Sequence, residues 1–425
     1  MIDIQRKDIE IMAPVGSYES LMAALQAGAD SVYFGIEQLN MRSRSSNNFT
    51  KDDLRKIVSI ANEHNVKSYL SVYTVIYNNE LPLMRQIVDA AKENGVTAII
   101  ASDLAVITYA RQIGVEVHIS TQCNVTNIEA VRFFSQMADV MVLARECNME
   151  QVKEIHEAIV RENIKGPKGE LIKIEMFAHG ALCMAVSGKC YLSLNTLGAS
   201  ANRGACLQVC RRSYLVTDRE TGNELEVDGK YIMSPKDLKT IDFIDVMLDA
   251  GVRVFKIEGR ARSADYVHTV VKCYNEAIEA VCNKTYSNIE KGHWDAQLSK
   301  VFNRGFWNGY YLGQKMGEWS GQYGNMATEK KVYIGKAQNC FSKLGVGEFV
   351  MESGELNVGD KVVIIGATTG VLETEVKELR LDLAPISKVV KGNVFSMPIP
   401  DKVRRNDKLY KIVSSKLVND GQGAK

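Results

Sequence analysis

Almost no net charge is left on this chain of 425 residues, because 52 Lys and Arg oppose 51 Asp and Glu. That balance removes the bulk positive field by which many nucleic-acid-binding proteins gather phosphate, leaving room only for a local basic face. No run of about 18 apolar residues occurs, so no membrane span is expected. The opening residues, Met1-Ile2-Asp3-Ile4-Gln5-Arg6-Lys7-Asp8, lack the apolar core of a secretory signal. His-Glu-x-x-His and Gly-x-Ser-x-Gly are absent, which removes the zinc-protease and α/β-hydrolase signatures. A Walker A loop and a dinucleotide glycine fingerprint are absent too. Nine cysteines, an odd number, read as reduced thiols, some of them ligands, and the compartment as cytoplasm.

What is present is a cluster. Cys183, Cys190, Cys206 and Cys210 are four of the nine cysteines and fall within one short stretch, spaced C-x6-C-x15-C-x3-C. This is neither the tight pair of a zinc finger nor the run of a bacterial ferredoxin. Clustered thiols in a reduced chain indicate a metal or redox site. Thiolates are soft ligands that suit iron–sulfur clusters, zinc or copper(I). Gly188, Gly198 and Gly204 supply turns that let the stretch fold back on itself. Lys189, Arg203, Arg211 and Arg212 flank it and are expected to favour thiolates. The other five, Cys123, Cys147, Cys273, Cys282 and Cys340, read as buried, inert thiols.

Around the cluster, short apolar runs alternate with helix-period stretches. Strands are expected at 9–12, 31–34, 68–72, 98–101, 117–119, 140–143, 174–177 and 254–257. Helices are expected at 18–27, 51–64, 81–94, 104–113, 128–136, 149–163, 238–250 and 264–281, several closed by Gly. Eight of each is the count of a (β/α)8 TIM-like barrel, with an open doubly wound sheet as the rival. The barrel would occupy 1–282, with a cysteine-rich insertion over 178–230 that leaves the end of the seventh strand. An aromatic, irregular segment follows over 283–329. The texture of 330–415 is that of a small antiparallel β-barrel, with strands at 332–337, 347–351, 361–365, 373–381 and 393–398. The tail from 416 to 425 reads as frayed.

A barrel of this kind works at the carboxyl ends of its strands. Those ends supply Gln122, Arg145, Glu146, His179, Glu258 and Arg260. His179 is a candidate general base or substrate-orienting group, with a structural histidine as the alternative. Glu258 and Arg260, assigned with His179 to the catalytic set, suit anion contacts or an internal ion pair, and Arg145 and Glu146 carry the same two readings. Gln122, Arg145 and Glu146 are assigned to substrate binding. Lys402, Arg404, Arg405, Lys408 and Lys411 offer charge for phosphates or a solvated face.

The stretch from Glu175 through Cys190 resembles the signature of the collagenase-like peptidase family, the U-thirty-two peptidases. The resemblance extends to Ala13-Pro14-Val15-Gly16, Ser234-Pro235-Lys236-Asp237-Leu238, Lys256-Ile257-Glu258-Gly259-Arg260 and Asn303-Arg304-Gly305-Phe306. In layout it is similar to the members that hydroxylate tRNA uridine and carry a terminal β-barrel like that of translation elongation factors. The resemblance implies oxygen-independent hydroxylation, a 4Fe–4S cluster with zinc as the alternative metal, tRNA as partner and a prephenate-derived small molecule. Cys183, Cys190 and Cys206 match the family's cysteines, and Cys210 is the natural fourth ligand. Some members instead place a cysteine where this chain has Lys239. Two other readings stay open: a peptidase using Cys183 and His179, and a non-catalytic iron–sulfur scaffold with a protein partner.

Overall fold

A computed structural model describes residues 4–37, 39–40, 49–212, 214–226, 233–321 and 324–415. The expected tail from 416 to 425 lies outside the described residues, as does 227–230 of the insertion.

Eight parallel strands close into a barrel. They are β1 (Glu10–Pro14), β2 (Ser31–Phe34), β3 (Lys67–Val72), β4 (Ala98–Ala101), β5 (Glu116–Ile119), β6 (Val140–Val142), β7 (Lys173–Ala181) and β8 (Val252–Ile257). Each pairs with the next, and β8 pairs with both β7 and β1, which completes the ring. Helices α1 (Tyr18–Gln26), α2 (Asp53–Glu63), α3 (Leu81–Glu93), α4 (Leu104–Gln112), α5 (Ile128–Ser135), α6 (Met149–Arg161), α7 (Ile244–Asp249) and α8 (Ala264–Cys282) surround it.

The local chemistry explains the repeat. Ser17, Asp103, Asn127 and Asn148 each accept a backbone N–H in the first turn of the following helix. Such caps fix where a strand turns into a helix and contribute about 1 kcal/mol each. The main apolar core lies between the strands and the helices, with Ile11, Leu70, Ile99, Val117 and Ile174 packed under Leu21, Leu54, Ile107 and Val270. Each such side chain stabilises by about 1.5–3 kcal/mol. Inside the ring a smaller set meets: Met12, Tyr33, Tyr69, Ile100, Val140 and Val254.

Three expectations need correction. Strand β7 runs on to Ala181, so His179 lies within it rather than beyond it. The extension is held by the antiparallel strand Asp237–Lys239, with Lys239 opposite His179 and Leu238 opposite Gly180. That strand occupies the start of the helix expected over 238–250; a 3-10 turn, Ile241–Phe243, follows, and only Ile244–Asp249 is helical. The segment after α8 is less irregular than expected. It contains a helix, Asn288–Leu298, and a short strand, Phe306–Trp307, that pairs with Asp237 and Leu238.

The chain then forms an antiparallel sheet of eight strands around its own core. Its central strand, Glu329–Phe341, pairs with Val346–Met351 on one side and Lys408–Ser414 on the other. Phe349 and Phe395 stack in the core with ring centroids 5.7 Å apart, beside Leu379 and Leu409. The expected strand at 373–381 is two strands, Gly370–Glu375 and Leu379–Leu381. Val363, Ile365 and Val371 pack on Ala23 of α1 and Ala264 of α8. Gln26 clamps this contact: its amide donates to the Thr369 carbonyl at 2.8 Å and accepts from the Val371 N–H at 2.9 Å.

Candidate functional site

The carboxyl ends of the strands surround a cavity of about 180 Å³. Tyr33, Ile100, Phe177 and Lys256 line it from the strands, and Gln122, Arg145, Glu258 and Arg260 from the loops that follow them. The insertion covers it, contributing Cys183, Cys206, Cys210 and Arg211 to the same wall.

Several contacts pin the insertion there. Arg203 pairs with Glu80 and lies over the Tyr77 ring at 4.5 Å, tying the insertion to the segment after β3. Arg211 donates to the Leu182 and Pro235 carbonyls at 2.6 Å each and to the Ser234 hydroxyl at 2.8 Å. Gly188 lies so close to Gln122 that a β-carbon would sit 3.2 Å from its side chain.

The four clustered cysteines sense one another. Cys183 is influenced by Cys190 and Cys206, and Cys210 by Cys183, Cys206 and Cys190. Burial pushes both Cys183 and Cys210 up, and the neighbouring thiols add to the rise. The Ala185 N–H and Arg145 oppose the rise at Cys183, and Arg211 opposes it at Cys210. Of the expected cationic flanks, Arg211 acts this way on Cys210; Arg203 pairs with Glu80, and Lys189 influences Cys123. Lys239 pairs with Asp295 at 2.5 Å and Asp242 at 2.8 Å. Four sulfurs on one tetrahedral zinc would lie about 4 Å apart. Among the described residues, no three His, Cys, Asp or Glu are arranged to hold a single metal ion.

The remaining candidates divide. Gln122 accepts from the Ser102 hydroxyl at 3.3 Å. Arg145 donates to the Ala181 carbonyl at 3.1 Å and covers the Phe177 ring at 3.7 Å, while its Nε is buried without a hydrogen-bond partner among the described residues. Arg260 donates to Asn40 at 2.7 Å and lies 3.4 Å from the Tyr73 hydroxyl. Glu258 lies 3.4 Å from the Tyr33 hydroxyl. Glu146 is exposed and does not line the cavity.

His179 departs most from expectation. It is 1% exposed, with Nδ1 3.4 Å from the Tyr274 hydroxyl and its ring against Tyr266 and Phe306. Burial, aided by Lys239 and Arg262, lowers its pKa to about 3. A ring so buried and so weakly basic does not serve the cavity as a general base. Of the five cysteines read as buried, Cys147 and Cys273 are; Cys123, Cys282 and Cys340 are half-buried.

Sequence reasoning missed Tyr33, Tyr73 and Lys256, which line the cavity. Lys256 was within reach of it: alternation along a strand puts Lys256 on the same side as Glu258.

The fold and site together define a (β/α)8-barrel protein with a cysteine-bearing cover over its mouth. The chain belongs to peptidase family U32, whose model matches residues 16–321. It is 63% identical over 404 residues to a protein named collagenase from Porphyromonas gingivalis, covering 95% of this chain and 98% of that one. It is 34% identical over 305 residues to a tRNA hydroxylation protein of Bacillus subtilis, covering 70% and 69%. It is 30% identical over 317 residues to a 23S ribosomal RNA 5-hydroxycytidine synthase of Escherichia coli, covering 73% of this chain and 46% of that protein. No helix among the described residues is long and apolar enough to cross a membrane.

Proposed function

We propose that this protein modifies RNA, hydroxylating a tRNA uridine without molecular oxygen, and that Cys183, Cys190, Cys206 and Cys210 hold a 4Fe–4S cluster beside the substrate. The observation that carries this reading is that Cys183, Cys206 and Cys210 line a cavity at the barrel mouth, with Cys190 near enough to influence Cys183 and Cys210. Four cysteines fit the donor set of such a cluster. When bound, the cluster supplies electron transfer or a Lewis-acidic iron. The chain's own residues do the rest. Tyr33 and Phe177 give the base an apolar wall, and Gln122 presents an amide to its edge. Arg145 lines the cavity and brings positive charge to a developing oxyanion. The cover formed by the insertion excludes water. Lys402, Arg404, Arg405 and Lys408 are exposed on the small domain and meet the tRNA backbone, whereas Lys411 is engaged with Asp360 at 2.6 Å.

A second reading is peptide hydrolysis, favoured by the collagenase name of the 63%-identical relative. A cysteine protease needs one thiolate and an adjacent base. Among the described residues that line the cavity there is no histidine, and three thiols, Cys183, Cys206 and Cys210, share one wall. Mass spectrometry of tRNA nucleosides from a deletion strain separates the readings. The account expects a 5-hydroxyuridine derivative to disappear and to return with the wild-type gene but not with Cys183→Ser. An unchanged nucleoside profile, with peptide cleavage by the purified protein, would establish the second reading instead.

A further inference from the structure

The inside of a (β/α)8 barrel is ordinarily packed with branched aliphatic side chains. Here one side of it is a column of ionisable groups. Glu10, His118, Glu175 and Lys256 are each at most 9% exposed, and Tyr33 and Tyr69 are 2% exposed. Isolated buried charges cost several kcal/mol each, so a column of them calls for an explanation.

The column runs from one end of the barrel to the other. At the bottom, Glu10 accepts from Lys67 at 2.6 Å and from the Tyr69 hydroxyl at 2.7 Å. The Tyr69 ring lies 4.6 Å from that of His118, centroid to centroid. His118 sits between two carboxylates, Nε2 3.5 Å from Glu116 and Nδ1 3.8 Å from Glu175. Glu175 pairs with Lys256 at 2.8 Å, and Lys256 lies 4.7 Å over the Tyr33 ring. Both ends open. Glu10, Lys67, Glu116 and His118 line a cleft of about 60 Å³ at the bottom, and Lys256 lines the mouth cavity at the top.

One gap interrupts this contact. His118 Nδ1 and Glu175 Oε2 face each other at 3.8 Å, and neither has a hydrogen-bond partner among the described residues. The Lys256 end of the same carboxylate closes to normal length. Proton transfer across the gap needs the ring and the carboxylate to close by about 1 Å, to hydrogen-bond length.

We propose that His118, Glu175 and Lys256 form a proton relay through the barrel axis, linking the bottom cleft to the mouth cavity. One proton enters at the His118 ring from the bottom. It passes from Nδ1 to Glu175 Oε2, and one leaves the Lys256 ammonium into the cavity. Glu175 then returns its proton to the Lys256 amine. No electrons move, and the net event is one proton carried from bottom to mouth. Burial opposes a charge on His118, but Glu116 and Glu175 outweigh it and hold the ring above the usual histidine range. Burial raises Glu175, but Lys256 and His118 outweigh it and hold the carboxyl below its ordinary range, so it takes up the proton only in passing.

The relay rests on the mouth cavity being the reaction site, but its test does not depend on activity. In protein with isotopically labelled histidines, NMR follows the titration of His118, assigned by its loss in His118→Gln. Lys256→Met removes a positive charge beyond Glu175 and should raise the His118 midpoint by on the order of one pH unit. Glu175→Gln should lower it by a similar amount, and Lys256→Arg should leave it near wild type. Comparable melting temperatures across the variants show that the barrel is intact. A His118 midpoint indifferent to Lys256→Met, or a ring that stays neutral down to about pH 5, would overturn the relay. If tRNA hydroxylation is absent in the wild type while these midpoints move as stated, the relay stands and the assignment of reaction fails.

Discussion

A thiol in this protein is defined by its neighbours. Burial and three neighbouring thiols hold Cys210 above its ordinary range, and Arg211 only tempers this. A thiol must lose its proton to bind metal, so loading releases protons and strengthens as pH rises. Arg145 favours the Cys183 thiolate. Arg145→Met should therefore shift the loading curve toward higher pH by up to about one unit. Cobalt(II) titration, read from thiolate-to-metal absorption, measures this; an unmoved curve would remove Arg145 from the account. His179 gives the opposite kind of test. Its folded pKa is depressed to about 3, whereas an unfolded histidine titrates near 6.5. Between those values the unfolded chain binds the extra proton, so stability falls as pH drops from about 6.5 toward 3. His179→Gln should flatten the decline of the urea midpoint between about pH 7 and pH 4.5. An unchanged slope would mean that the ring already holds a proton in the fold.

At the scale of elements, most of the barrel was legible because each βα unit carries its own signals. Residues 31–34 and 98–101 form strands as the pattern predicts, and α1 begins behind Ser17 and ends short of Gly28. The failures have a common cause in long-range pairing. Strand β7 continues through His179 because Asp237–Lys239 returns to pair with it, a contact no local window contains. Leu238, Ile241, Ile244 and Leu248 are all buried, so their spacing mimics a helix although only the last two lie in one. The β7 end depends on backbone shape. Gly180 has φ +105°, and a β-carbon there would meet the Glu258 carbonyl oxygen at 2.4 Å. Gly180→Ala should cost about 2 kcal/mol or more and lower the melting temperature by several degrees. A variant as stable as wild type would show that this strand end relaxes easily.

At the scale of the whole molecule, the small domain sits against the outside of the barrel, on α1 and α8, while the cysteine cover sits over the mouth. The sequence announced the change of texture near residue 330, but not the strand Lys408–Ser414, whose lysines read as a phosphate face. Gln26→Ala removes both bonds of the clamp to Thr369 and Val371. It should loosen the small domain, speeding proteolysis near 324–328 while the barrel keeps its melting temperature. Of the site, clustering singled out the four cysteines and position the polar loop ends; Cys183, Cys206, Cys210, Gln122, Arg145, Glu258 and Arg260 line the mouth cavity, and Cys190 and Glu146 do not. Lys256 and Glu175 were not singled out, because a charged residue inside a strand looks like a surface residue until the barrel closes around it.

The central claim is that four thiols make one cluster site at that mouth. Iron, acid-labile sulfide and zinc in anaerobically purified protein test it most directly. The account predicts about four iron and four sulfide per chain, little zinc, and loss of both iron and sulfide in the Cys210→Ser variant. Stoichiometric zinc without sulfide, or full iron and sulfide in that variant, would contradict it.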